Sequence, residues 1–332
     1  MTTKINRRRA ISVIAAAAGV PLLLKAGSAQ ARVYRWQGTT LGADASIQIF
    51  HNDEAKARAA VEKGLAELSR LEDMFSLYRP NSTISTLNRT GRVDGAPREF
   101  VELVSYSREV AQMTEGWFDP TVQPVWELYF RHFTTENADP AGPSAAALRQ
   151  SLALVDWRGI DIEAASGRVS LARPGMGLTL NSIGQGYITD RVTAVLRDHG
   201  FANMLVDMGE LQAVSSRPDG TAWRIGIANP ADQNSAISEI DVIDKAVATS
   251  GGYGTLFDQK GEFTHIIDPF TGRTAPQLLG VTVIADSATK ANAFSTPLTL
   301  LPRERRQPVV SLGKGITAIF VTPEGVTETM KG

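Results

Sequence analysis

Asn292, Ser295 and Thr296 carry amide and hydroxyl oxygens at i, i+3 and i+4. On a helix that spacing puts all three on one face. Hard divalent cations such as Mg²⁺ take oxygen ligands, so the trio is a candidate cation site; a solvated polar face would look the same. A second segment, Asn181-Ser182-Ile183-Gly184-Gln185-Gly186-Tyr187, places two glycines where an apolar stretch gives way to a helical pattern. Backbone can approach a ligand closely there, and a helix N-terminus favours phosphate. A plain tight turn uses the same residues. In a third segment, Thr264–Gly272, His265 and Asp268 flank Ile266 and Ile267 ahead of a Pro269–Gly272 turn. In a fourth, Gly116–Thr121, the rings of Trp117 and Phe118 border Asp119, as ligand contacts or as core packing.

Other chemistries are excluded by composition. The chain has no cysteine and four widely spaced histidines, His51, His132, His199 and His265. Thiolate zinc, Fe–S clusters, cysteine nucleophiles and disulfides are therefore absent. No Rossmann fingerprint, P-loop or nucleophile elbow occurs.

The N-terminal segment reads as an export signal. Arg7, Arg8 and Arg9 precede a mild apolar run from Ala10 to Leu24, and Ala29-Gln30-Ala31 is a small-x-small cleavage site. The run is too short and too Ala-rich for a membrane span. Asn6-Arg7-Arg8-Arg9-Ala10-Ile11 fits the twin-arginine route, which carries folded proteins. The expectation is cleavage after Ala31, a mature domain of residues 32–332, and work in the periplasm. Without the five basic residues of segment 1–31, the mature chain has 29 basic against 35 acidic residues, a net charge of −6. A nucleic-acid binder would show the opposite excess.

The elements that must position these residues follow from periodicity. Val33–Ile49 reads as strands around Gly38 and Gly42. Asp53–Phe75 reads as a helix with the stripe Val61, Leu65, Leu68, Leu71 and Phe75. Ser76–Asn88 reads as a loop, Phe100–Thr114 as a helix, and the polar residues 134–150 as a surface insertion. Gly177–Leu180 reads as a strand leading to a helix from Tyr187 to His199. Further strands fall near 203–207, 223–227, 246–249, 280–284 and 315–321. A helix over Ala288–Leu301 is expected to be kinked or interrupted at Pro297. The class is α+β, with mixed sheets and packed helices in a single body of two interleaved lobes.

In their order and wording, these segments together resemble the ApbE-type FAD:protein FMN transferases. The resemblance runs through Gln37-Gly-Thr39, Ser76–Ser82, Gly116–Thr121, Leu178–Asp190, Ala248–Tyr253, His265–Gly272 and Ala291–Thr296. It implies binding of FAD, Mg²⁺-assisted cleavage of its pyrophosphate, and transfer of FMN to a threonine hydroxyl of a target protein, with release of AMP. It assigns the metal to the Ser182 carbonyl, Asn292 and Thr296, with Ser295 adjacent. It assigns FAD contacts to Tyr78, Trp117, Phe118, Asp119, Thr179, Gln185 and His265, and to Gln37 and Ser82. His265 is the candidate catalytic residue. The twin-arginine signal is similar to that of the branch serving nitrous oxide reductase maturation, known as NosX. That likeness implies a NosR-like membrane-bound or periplasmic flavoprotein as acceptor. A monomer is expected, since no coiled-coil pattern appears.

This chain departs from the family pattern at several positions. Asn292 stands where aspartate is usual, Gln185 for lysine or glutamate, Thr179 for aspartate and Gln37 for methionine; Val206–Glu210 replaces a more glycine-rich phrase. Loss of the charge at 292 should weaken Mg²⁺ binding. A non-catalytic FAD-binding or flavin-delivery protein, and an FAD pyrophosphatase, are therefore alternatives to the transferase.

Overall fold

The structure, a computed structural model, describes residues 32–40, 43–230, 232–274 and 280–332. The twin-arginine segment lies outside the described residues.

Strands β1 (Val33–Thr40) and β2 (Ala43–Phe50) pair as an antiparallel hairpin. Ala45, Ile47 and Ile49 face the core, as period-two alternation requires. Asp53 opens α1 (Glu54–Phe75) by accepting the Lys56 N–H at 2.9 Å. Of the expected stripe, Val61, Leu68, Leu71 and Phe75 are buried and Leu65 is half-buried.

The expected loop at 76–88 is partly a helix. In α2 (Thr83–Thr90), Ser82 caps the start by accepting the Ser85 N–H at 3.1 Å, and Gly91 closes the end in the left-handed conformation. Ile84 and Leu87 anchor it in the core. Next come β3 (Arg92–Val93), α3 (Arg98–Met113) and α4 (Gln123–Thr134). The supposed insertion contains α5 (Ala145–Leu152), whose Leu148 and Leu152 pack with Val125 and Tyr129 of α4.

After β4 (Ile160–Glu163) and β5 (Arg168–Leu171), residues 177–180 run outside any sheet. Here a side chain replaces a neighbouring strand: Asn88 accepts the Leu178 N–H at 2.7 Å and donates to its carbonyl at 2.8 Å. Helix α6 (Gly184–Asp198) starts three residues before Tyr187. Then follow β6 (Met204–Asp207), β7 (Leu211–Val214), β8 (Trp223–Asn229), β9 (Asp232–Val242), β10 (Ala246–Gly251) and β11 (Gly280–Ala285). Helix α7 (Ala288–Leu300) runs through Pro297 without interruption. Pro297 lacks one helical N–H, but buried Phe294 and Leu298 on either side hold the helix in the core. Helix α8 (Arg303–Leu312), β12 (Thr317–Val321) and β13 (Thr327–Lys331) complete the chain.

The class is α+β, as expected. The pairing is narrower than the mixed sheets anticipated, because every described strand pair is antiparallel. The large sheet has eight strands in the order β1-β2-β6-β7-β10-β11-β12-β13. Helix α6 packs between α1 and α7, and α7 lies on β10 and β11. One continuous apolar core, from Ala45 to Phe320, joins both halves of the chain. Among the described residues no helix is long and apolar enough to cross a membrane.

Candidate active site

A cavity of about 1160 Å³ opens where β1, β2, the β6–β7 turn and β10 meet α7 and the start of α6. Pockets for ordinary small ligands run to roughly 300–1,000 Å³, so this one has room for a dinucleotide.

Its cation-like corner depends on the contact between α6 and α7. Gly186 permits that contact: a Cβ there would overlap the backbone carbonyl of Ala288. One turn along α6, Asp190 accepts the N–H groups of Ala288 and Thr289 at 2.8 and 2.9 Å, and the Thr289 hydroxyl at 2.5 Å. Ser287 caps the same helix end through the Lys290 N–H at 3.2 Å. These bonds fix α7 so that Asn292 sits beside the first turn of α6. The Gly186 N–H donates to Asn292 Oδ1 at 3.3 Å, and Asn292 Nδ2 donates to Glu210 Oε1 at 2.6 Å. A turn further on, the Thr296 hydroxyl lies 3.2 Å from that of Ser250 on β10.

Ser182, Asn292 and Thr296 all line the cavity. Ser295 is buried and is not among the lining residues. Its hydroxyl lies 2.7 Å from that of Ser250 and donates to the Asn292 carbonyl at 2.9 Å, so it braces α7 from behind. Among the described residues no three His, Cys, Asp or Glu side chains converge as a metal cluster. The corner offers amide, hydroxyl and carbonyl oxygen, the donor chemistry that suits a hard cation.

Two carboxylates reach this region that the sequence reading did not place in the site. Asp207 and Glu210, on the β6–β7 turn, both line the cavity. Burial pushes Asp207 up to about 6, with the charge of Asp44 adding to the rise. Burial, reinforced by Asp207, raises Glu210 well above the usual carboxylate range. Glu210 and its partner Asn292 lie 82 residues apart, so no local motif signals the pair.

The remaining expected contacts form the other walls. Asp119 accepts the Thr121 N–H at 2.8 Å, the Thr121 hydroxyl at 2.6 Å and the Trp157 N–H at 3.1 Å, tying its loop to the 3₁₀ turn at Trp157–Gly159. Burial pushes its carboxyl up to about 6 despite these donors. The Trp117 ring meets Phe270 edge-on at 4.9 Å. Its Nε1–H is buried with no hydrogen-bond partner among the described residues, and the residue lines the cavity. Thr179 is anchored by its N–H to the Pro120 carbonyl at 2.8 Å. Gln185 lies against Gly209, whose positive φ and missing Cβ make space for it. Phe118 and Gln37 line the cavity, and exposed Tyr78 stands at its rim. Ser82 is elsewhere: it caps α2, and its hydroxyl donates to the Ser76 carbonyl at 2.7 Å. His265 lines the cavity, with Nδ1 held 3.1 Å from the Thr255 carbonyl. Burial lowers its pKa, so the ring is neutral at neutral pH.

The sequence matches the model of the ApbE family over residues 41–320. The chain belongs to that family. An FAD:protein FMN transferase of Klebsiella pneumoniae is 28% identical over 296 residues, covering 87% of this chain and 84% of that protein. The crystal structure of the Pseudomonas stutzeri flavinyl transferase ApbE in its apo form superposes with a TM-score of 0.75 at 28% identity, over 92% of this chain and 98% of that one. The ApbE protein of Thermotoga maritima gives a TM-score of 0.79 at 26% identity, over 90% and 97% of the two chains. The corner at Asn292, Thr296 and Ser182 lies within the matched region.

Proposed function

We propose that this protein, an FAD:protein FMN transferase by family, binds FAD in the large cavity. It uses Mg²⁺ to pass FMN to a threonine hydroxyl of an acceptor protein. The observation that carries this reading is the convergence, on one cavity, of an oxygen-only corner at Ser182, Asn292 and Thr296 with the aromatic wall at Trp117. Bound at the corner, Mg²⁺ would neutralise charge on the pyrophosphate. The protein's part is positioning. At the start of α6, Gln185 lines the same wall beside Ser182. Trp117 and Phe118 support an aromatic ring, and Thr296, braced by Ser250, holds the corner open. In the transfer, the acceptor oxygen bonds to the flavin-side phosphorus and the P–O bond to AMP breaks. The threonine proton leaves and AMP carries away the bridging oxygen. No redox change is involved. Neutral His265, with Nδ1 engaged by Thr255, is placed to handle a proton at Nε2.

The acceptor in this reading is a NosR-like membrane-bound or periplasmic-side flavoprotein of nitrous oxide reduction. The twin-arginine motif supports export of the folded, FAD-loaded protein to the periplasm. The deciding experiment incubates purified protein with FAD, Mg²⁺ and a candidate acceptor domain, then maps the acceptor by mass spectrometry. FMN on one threonine, abolished by EDTA, is expected. An unmodified acceptor with AMP and free FMN released would instead identify a pyrophosphatase. No FAD turnover at all would identify a flavin-delivery protein.

A further inference from the structure

We infer that Tyr129, on α4, is a positioning residue for His265: its ring and its hydroxyl pin both ends of the segment that carries the imidazole to the cavity. The inference rests on the proton-handling role given to His265 above and adds what holds that residue in place.

The segment needs holding. Between the end of β10 at Gly251 and Thr274 the chain forms no helix or strand, only the isolated bridges Leu256–Thr264 and Ile267–Thr274. Two turns result. In the first, the Phe257 N–H donates to the Phe263 carbonyl at 2.8 Å, and the His265 N–H to that of Thr255 at 3.1 Å. In the second, the Asp268 N–H donates to the Arg273 carbonyl and the Gly272 N–H to that of Asp268, both at 2.8 Å. His265 lies where the first turn runs into the second. Neither turn belongs to the eight-stranded sheet, so no ladder sets its distance from the corner at Asn292.

Tyr129 touches both turns. It is buried, its ring stacks on Phe257 at 5.7 Å and 15°, and it meets Phe263 at 5.7 Å. Its hydroxyl donates to the Gly272 carbonyl at 3.0 Å. The ring grips both limbs of the first turn and the hydroxyl grips the second, with His265 suspended between Phe263 and Gly272. Gly272 is seated in turn on α5, where a Cβ would come within 2.9 Å of Leu148. Val125, Tyr129 and Ile267, with Phe257 and Phe263 packed on them, form an apolar cluster apart from the continuous core. Misplacing a reacting group by about 1 Å costs about 100-fold in rate. A cavity wall with its own small core therefore depends on a pin of this kind.

The test uses the full chain with histidine labelled with ¹³C at Cε1. The chain has four histidines, and His265→Ala assigns the His265 resonance by its loss. Tyr129→Phe keeps the ring and removes only the hydroxyl. It should shift or broaden the His265 resonance and leave in place those of His51, before α1, and His199, after α6. With FAD, Mg²⁺ and the acceptor domain it should lower kcat at least about 10-fold, with FAD affinity, read by flavin fluorescence, unchanged. Once His265 is alanine, adding Tyr129→Phe should cost nothing further; a general loosening of the fold would lower kcat alike in both backgrounds. An unmoved His265 resonance overturns the inference, and so does an equal loss in the two backgrounds. Wild-type kcat in Tyr129→Phe beside an impaired His265→Ala overturns the inference alone. If His265→Ala turns over like wild type, the role given to His265 fails and the inference with it. Should Tyr129→Phe not fold, Phe257→Leu decides by the same resonance: it removes the stacking partner and leaves the hydroxyl bond, so a displaced signal is expected and an unmoved one overturns the inference.

Discussion

An aspartate at position 292 would put a second carboxylate where an amide now donates to Glu210 at 2.6 Å. Two carboxylates in contact resist joint ionisation. Asn292→Asp should therefore lower the melting temperature in EDTA and show a larger Mg²⁺-induced rise than wild type. Equal rises in paired melting scans would contradict this. Asp119 gives a pH test. Its folded pKa of about 6 lies above the ordinary aspartate value of 3.8. A raised acid pKa means the folded state holds its proton longer. The associated stability is full below pH 4 and is lost as pH rises through 6. Asp119→Asn should remove that loss, so denaturant unfolding should show the variant gaining on wild type by roughly 2 kcal/mol between pH 4 and pH 7. Parallel curves would refute it. At this scale the sequence was most informative where one residue type suffices. Trp117, His265 and Thr296 were legible from local motifs, and all three line the cavity. Glu210 was not, because its meaning depends on a partner that only folding brings near.

Helices α6 and α7 form the element-scale unit of the site, and Gly186 is its weakest point. Gly186→Ala would drive a methyl into the Ala288 carbonyl. Overpacking of this kind costs about 1–3 kcal/mol. The helices would part, breaking the Gly186–Asn292 bond, so Mg²⁺ affinity should fall together with stability. A variant with wild-type metal binding would show that the close approach is not needed. Elements were readable in proportion to their length and regularity. The 22-residue α1 repeats its stripe often enough to be plain. The eight-residue α2 offers only Ile84 and Leu87 as buried anchors, too few for a period. Residues 177–180 have a strand's composition, yet Asn88 supplies their hydrogen bonds in place of a ladder. Pro297 was read as a kink or interruption because local rules charge for the lost N–H and cannot weigh the burial around it.

For the molecule as a whole, ligand binding to the folded state alone must raise stability. FAD with Mg²⁺ at about 100 times the dissociation constant should add about 2.7 kcal/mol, and EDTA should reverse the Mg²⁺-dependent share in a thermal-shift assay. Failure of EDTA to lower the midpoint would mean that FAD binds without the cation.

The pairing of β2 with β6 has a further consequence, in time. Met204 pairs with Ile49, about 150 residues earlier in the chain. At the roughly 5–20 residues per second of synthesis, the hairpin of β1 and β2 waits on the order of 10–30 seconds for its neighbour to be made. Throughout that interval Ile47 and Ile49, fully buried in the finished protein, have no β6 beside them. A ribosome-bound chain stalled before residue 204 should therefore recruit holdase chaperones through its first fifty residues, and release them once β6 emerges.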